Sequence, residues 1–232
     1  VGGQKDLAQR RLRTIGNPAQ RFAEDHLRLL RAVRFAAQLD FEIEPATFAA
    51  VREMAGRITR VSAERIRDEL LKLFRPPHAA RGLDLLHESG LLAQVLPELL
   101  PTVTCDQSPD YHPEGTVYNH IRLMLSQLPT EAAAALPWTV LLHDIAKPVT
   151  QSVSKEGRIH FYGHEKIGAD MAQKILQRLR FPNAEIEAIV QTVRYHMQFK
   201  DAPKMRKATL RRMLMRPTFD LELEQHRLDC LG

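Results

Sequence analysis

The chain has 232 residues, 44% of them hydrophobic and 26% charged, a balance that suits one large globular domain or two small ones. No apolar run approaches the roughly 20 residues of a membrane-crossing helix, and Val1-Gly2-Gly3-Gln4-Lys5 has the pattern of neither a signal nor a transit peptide. A net charge of +5 favours a polyanionic partner such as nucleic acid, although a solvated basic surface explains it equally well. Cys105 and Cys230 form no Cys-x-x-Cys motif and read as reduced thiols of a cytoplasmic protein. The first residue is not Met, so the chain is expected to be a fragment or a processed product.

Residues 1–20 are basic and irregular, with Arg10, Arg11 and Arg13 before the turn-like Gly16-Asn17-Pro18, and read as a connecting segment. Glu24-Asp25 then opens a helix to about residue 38, where acidic groups meet the positive end of the dipole and Leu29, Leu30, Val33 and Ala37 form the apolar stripe. Further helices are expected over 45–54, with Pro45 in its first turn; over 63–74, capped by Ser62 and stopped by Pro76-Pro77; and over 78–89, closed by Gly90. The proline-rich stretch 100–114 shows no helical period. Helices resume at 116–127 and 137–145, and 150–153 can pair with 158–161 as a short hairpin across Lys155-Glu156-Gly157. The last helices are expected at 165–180, at 184–197 behind an Asn183 cap, at 209–215 and at 221–231. The fold class is therefore all-α, two helical modules in series: a connecting segment 1–20, a first module 21–105 and a second 106–232.

In the second module His143-Asp144 ends an apolar helix. Adjacent imidazole and carboxylate can both ligate one divalent cation, with His120 on the preceding helix as a third donor and Asp229 on the last helix as a fourth. Lys147, one turn after His143, can meet a phosphate oxygen as a point charge and is the candidate catalytic residue. A His-Asp dipeptide alone would ordinarily be a hydrogen-bonded pair. The order His120, His143-Asp144, Asp229 resembles the HD phosphohydrolase superfamily, whose motif is a His, then His-Asp, then a distal Asp on a helical bundle. That resemblance adds His164 and His196, which fall where some members place extra ligands; for both, a packed histidine is the alternative. His112 and His160 read as surface or turn residues. A metal here, Mg²⁺, Mn²⁺ or Ni²⁺, would acidify a water and polarise a phosphoryl oxygen. Asp229 lies close to the chain end, where a helix can fray.

Asp25 and Arg28 are three apart on the expected first helix, so they should share a face. A carboxylate beside a guanidinium makes an acceptor-plus-donor edge that can read a nucleobase, and spacing alone fits a surface ion pair as well. The run Glu24-Asp25-His26-Leu27-Arg28 resembles the Glu-Asp-x-x-Arg motif of class II CCA-adding tRNA nucleotidyltransferases and bacterial poly(A) polymerases. The segments Gly2-Gly3-Gln4-Lys5-Asp6-Leu7 and Val61-Ser62-Ala63-Glu64-Arg65-Ile66-Arg67-Asp68-Glu69-Leu70 resemble the same family's head-to-neck connection and RNA-binding helix. The resemblance implies that Asp25 and Arg28 template an incoming CTP or ATP, that the partner is tRNA or another RNA 3′ end, and that an HD domain follows. It also implies a transferase head with paired aspartates, and no Asp-x-Asp occurs in these residues, so the head is expected to be missing. Arg31 and Arg34 can face phosphate, or pack with Phe35 between them. Lys204, Arg206, Lys207, Arg211, Arg212 and Arg216 form a candidate phosphate strip or a solvated face. The competing reading is a stand-alone HD phosphohydrolase acting on nucleotide or cyclic phosphate ends.

Overall fold

The computed structural model describes residues 2–109 and 112–231. It comprises two compact helical units that divide between Leu100 and Pro101, slightly ahead of the junction expected after residue 105. Among the described residues no helix is long and apolar enough to cross a membrane.

The first unit begins with a short helix in the segment expected to be irregular, α1 (Gly3–Ala8), then β1 (Arg11–Leu12). Helix α2 (Pro18–Glu24) starts where Asn17 Oδ1 accepts from Gln20 N and Pro18 fills the first turn. The sequence pattern predicts a single helix from Glu24 to about Gln38. The helix does not run from Glu24 to Gln38, because Asp25 is extended (φ −150°, ψ 106°) and its Oδ1 accepts from Leu27 N at 3.1 Å. A short carboxylate that takes a nearby amide competes with the helix ladder, so the chain breaks and restarts as α3 (Leu27–Leu39). Helix α3 buries the stripe Leu29, Leu30, Val33, Ala36 and Ala37 and ends at Asp40 in the left-handed region.

Strand β2 (Glu42–Ile43) pairs parallel with β1, Arg11 opposite Glu42 and Leu12 opposite Ile43. Helix α4 (Pro45–Met54) follows with Pro45 in its first turn, then a 3-10 segment, Ala55–Arg60. Helix α5 (Ala63–Leu73) has Ser62 at its N-cap position, though no side-chain cap bond forms there. Helix α6 (Ala79–Glu88) is followed by Gly90 at φ +75°, the conformation that made glycine the expected terminator. Helix α7 (Leu92–Val95) and a 3-10 segment, Pro97–Thr104, close the unit. Helices α3, α5 and α6 meet over a core that includes Phe22, Leu30, Val33, Leu70, Leu73 and Leu83.

In the second unit, Thr116 Oγ1 accepts from Asn119 N and starts α8 (Val117–Ser126). Helix α9 (Leu136–Leu142) is buried on every side, which explains its unbroken apolar sequence. A tight turn holds His143 and Asp144 before α10 (Lys147–Thr150). The hairpin expected from sequence is present: β3 (Ser152–Val153) and β4 (Ile159–His160) pair antiparallel, Ser152 opposite His160 and Val153 opposite Ile159. Then come α11 (His164–Arg178), α12 (Asn183–Tyr195), a 3-10 segment His196–Lys204, α13 (Lys207–Leu214) and α14 (Phe219–Asp229). Asn183 is the first residue of α12 rather than its cap, which is Pro182. Helices α11 and α12 form a hairpin packed on α9, with Trp138 edge-on to Phe181 at 4.7 Å between ring centroids. Both cysteines are free thiols, Cys105 buried and Cys230 exposed.

Candidate metal centre and nucleotide-reading residues

Four histidines and two aspartates from α8, the α9–α10 turn, α11, the end of α12 and α14 converge in the second unit. His120, His143, Asp144, His164 and His196 are all buried. Each imidazole is held by the same device. Nδ1 lies 2.7–2.8 Å from an oxygen: Glu114 Oε1 for His120, Val140 O for His143, Phe161 O for His164 and Val193 O for His196. A ring nitrogen that close to a carbonyl or carboxylate must donate, so Nδ1 carries hydrogen in all four; a neutral ring then turns a bare Nε2 inward, whereas His120 donates from both nitrogens, its Nε2 to Asp229. Three of the four acceptors are backbone carbonyls three residues back, so the local backbone itself aims those rings.

The inward nitrogens face Asp144 and Asp229. His120 Nε2 is 3.0 Å from Asp229 Oδ1, and His143 Nε2 is 3.2 Å from Asp144 Oδ2 and 3.9 Å from Asp229 Oδ1. His164 Nε2 and His196 Nε2 lie 3.3 and 3.8 Å from Asp144 Oδ1, and only 3.1 Å from each other. Two Nε2 lone pairs at that separation repel unless a proton or a metal lies between them. His143 Nε2 and Asp144 Oδ2 are buried without a hydrogen bond of acceptable geometry, although Lys147 Nζ lies 2.6 Å from Asp144 Oδ2. A buried acceptor left without a hydrogen is costly, and a mixed imidazole–carboxylate set suits a divalent cation.

The titration behaviour follows. Burial alone would raise the Asp144 carboxyl, but the neighbouring His143 imidazole and the Lys147 ammonium hold it well below the usual range. Asp229 likewise resists burial and is lowered by the His120 hydrogen bond and by His143. Burial opposes protonation of His120, yet its bond to Asp229 and the Asp144 charge raise it overall. His196 is pushed down to about 4 by burial and by His143, so it is a neutral donor at physiological pH.

Lys147 does not extend into open space. Its Nζ is 2.6 Å from Gln107 Oε1 and from Asp144 Oδ2, and it lies over the Phe161 ring. His112, read from sequence as a surface or turn residue, is half-buried: Nδ1 is 3.0 Å from Glu114 Oε1, and the ring is edge-on to His120 at 4.8 Å. Glu114, which the sequence reading passed over, thus anchors two histidines through one oxygen. Its signal, a carboxylate in the loop ahead of His120, is too weak to find without the fold. A cavity of about 960 Å³ opens over the centre, bordered by Asp144, Asp229, His112, Lys147, Tyr162 and Lys200.

In the first unit Asp25 and Arg28 lie on either side of the α2–α3 break and not one turn apart on a single helix. They do not pair with each other. Arg65 Nη2 donates to Asp25 Oδ2 at 3.1 Å, while Arg28 Nη1 donates to Glu24 Oε2 at 2.5 Å and to Arg21 O at 2.9 Å. Burial would raise the Asp25 carboxyl, but the Leu27 amide and Arg65 bring it below its ordinary value. Asp25 and Arg28 keep 28% and 35% of their side-chain surface in solvent. Arg31 and Arg34 both bond the buried Glu69, at 3.2 and 2.6 Å, and Arg34 stacks on Phe35. The basic strip near the C-terminus loses Arg216, which is bonded to the buried Glu222 and stacked on Tyr195.

Comparison with known proteins finds matches in both units. Residues 40–102 match the family described as the probable RNA and SrmB-binding site of polymerase A, and residues 111–223 match the HD domain. An A-adding tRNA nucleotidyltransferase of Deinococcus radiodurans is 40% identical over 206 residues, 85% of this chain and 46% of that protein. The chain belongs to the tRNA nucleotidyltransferase and poly(A) polymerase family. Within that family a CC-adding tRNA nucleotidyltransferase of Thermus thermophilus is 36% identical over 230 residues, 93% of this chain and 50% of that one. The fold resembles the crystal structure of the Bacillus stearothermophilus CCA-adding enzyme in complex with CTP, with a TM-score of 0.63 at 23% identity, covering 98% of this chain and 52% of that one. The chain spans about half the length of the curated relatives it matches.

Proposed function

We propose that this chain serves the addition of CMP or AMP to RNA 3′ ends, tRNA above all, as the nucleotide-selecting neck, the RNA-binding body and a metal-dependent phosphohydrolase unit. The alignment with an A-adding tRNA nucleotidyltransferase over 85% of the chain carries the transferase half of this reading. Asp25 and Arg28 would present an acceptor and a donor to the edge of CTP or ATP. Each must then leave a partly exposed ion pair, Asp25 with Arg65 and Arg28 with Glu24. Such pairs contribute about 0–1 kcal/mol each, so exchange for base hydrogen bonds is cheap. The test uses the protein expressed from its full gene, with tRNA lacking its 3′ end and labelled CTP and ATP. Arg28→Ala and Asp25→Ala should lower incorporation at least tenfold while tRNA binding at fixed salt is retained. Unchanged incorporation in both variants would remove the templating role.

For the second unit, His120, His143, Asp144, Asp229, His164 and His196 would hold a divalent metal, Mg²⁺, Mn²⁺ or Ni²⁺. The 3.1 Å approach of two bare Nε2 atoms and the unpartnered Nε2 of His143 support this. A bound ion supplies a Lewis acid and an acidified water. Around it, Asp144 and Asp229 stay ionised, His196 stays neutral, and Lys147 places a positive charge beside the phosphoryl group. Hydrolysis of bis-p-nitrophenyl phosphate with each of the three ions tests this: turnover should vanish in His143→Ala and Asp144→Ala, and no turnover with any ion overturns it.

A further inference from the structure

The hairpin rim of the second unit carries an aromatic feature that the metal centre does not use. His160 ends β4, and Phe161 and Tyr162 follow it in the turn that leads into α11. Phe161 packs beneath the Lys147 ammonium. His160 and Tyr162 stack, with rings 5.1 Å apart and only 15° from parallel, and Tyr162 leaves 76% of its surface in water. Both rings border the cavity that has Asp144 and Asp229 at its base. Lys166 and Lys200 border the same cavity, and both are exposed.

An exposed aromatic face contributes nothing to the core, and a stacked, near-parallel ring pair presents a flat surface to the cavity. A ligand that matches the whole cavity needs a phosphate for the polar base and the lysines, and a planar ring for the rim. Amino acids and simple sugar phosphates lack one or the other. We propose that His160 and Tyr162 form a base-stacking subsite, so that the cavity takes a nucleoside phosphate, free or as the last residue of an RNA strand, with its base on Tyr162 and its phosphate toward Asp144 and Asp229. This rests on the phosphohydrolase reading above for the destination of the phosphate. The base platform itself rests on the hairpin geometry alone.

The probes are AMP and ribose 5-phosphate, which share sugar and phosphate and differ in the base. Their affinities for the intact chain are measured by calorimetry with Mn²⁺. Stacking of one base corresponds to about 1–3 kcal/mol, so AMP should bind about 5- to 150-fold more tightly. Tyr162→Ala should abolish that advantage and leave ribose 5-phosphate unaffected, whereas Tyr162→Phe, which keeps the ring, should preserve it. Because the ring is exposed, melting temperatures should not change. Competition of AMP by an oligonucleotide ending in the same nucleotide distinguishes the two sources: displacement of AMP marks an RNA end as an occupant, and no displacement marks the free nucleotide.

Equal binding of AMP and ribose 5-phosphate, or an AMP preference that survives Tyr162→Ala, overturns the platform. If base preference holds but binding ignores both Mn²⁺ and Asp144→Ala, the metal reading fails and the platform stands. If neither probe binds, both fail.

Discussion

Glu114 offers the sharpest test of the metal centre, because it touches no proposed substrate atom and acts only through its neighbours. One oxygen, Oε1, accepts from His120 Nδ1 at 2.7 Å and from His112 Nδ1 at 3.0 Å. A carboxylate behind an imidazole fixes its tautomer and raises the basicity of the opposite nitrogen, and losing such a partner costs about 10- to 100-fold in metal affinity. That is about 1.4–2.7 kcal/mol. Glu114→Ala removes both hydrogen bonds and the charge and should show the full loss. Glu114→Gln can keep an oxygen at the Oε1 position and so both hydrogen bonds, losing the charge alone, and should fall between wild type and Ala. Mn²⁺ and Ni²⁺ titrations by calorimetry read the affinity directly. The rise in melting temperature on adding metal should shrink in the same order, Ala below Gln below wild type. Affinities within threefold of wild type for both variants would refute the claim that Glu114 sets the His120 ligand.

Gly82→Ala should destabilise the first unit by about 1–3 kcal/mol, because a Cβ there would lie 2.8 Å from Leu73 Cγ and 3.3 Å from its carbonyl oxygen; urea unfolding measures it. Glu69→Ala should cost about 2–3 kcal/mol, less than a fully buried pair because Arg31 still reaches water, and should be worse than Glu69→Gln. A Glu69→Ala protein as stable as wild type would mean that the two arginines find other anions. In metal-free protein the lowered His196 favours the folded state in its neutral form, so its contribution is present above pH 6.5 and is lost as pH falls toward 4. His120 has the opposite sign, its contribution being present below its unfolded value and lost as pH rises through its raised folded value. Stability measured from pH 7 to 4.5 should therefore fall on the acid side, and His196→Asn should flatten that limb. An identical limb in the variant refutes the assignment.

Much of the architecture was legible because it rests on local chemistry. Pro45, Gly90 and the hairpin strands behave as residues of those types must, and the apolar stripe of α3 appears at the expected positions. The break at Asp25 was not legible. Glu24-Asp25 reads equally well as an acidic first turn or as a helix end followed by a capping carboxylate, and the choice depends on Leu27 and Arg65 competing for that side chain. Residues 3–8 were too short and too polar for periodicity to register as a helix. His112 was misread because its environment is supplied by a glutamate and a histidine that a loop brings beside it.

Sequence alone determined the identity and order of the chemical groups: an acid and a base near the start, a His–His-Asp–Asp progression later, and helices long enough to carry them. These are properties of residue type and spacing, which no packing can alter. Tertiary structure decided everything that depends on distance between segments far apart in the chain. It set Asp25 against Arg65 and Arg28 against Glu24, locked Lys147 between Asp144 and Gln107, and brought His164 and His196 within 3.1 Å of each other. A side chain's partner, and hence its charge and reach, is fixed by long-range packing that no local pattern encodes.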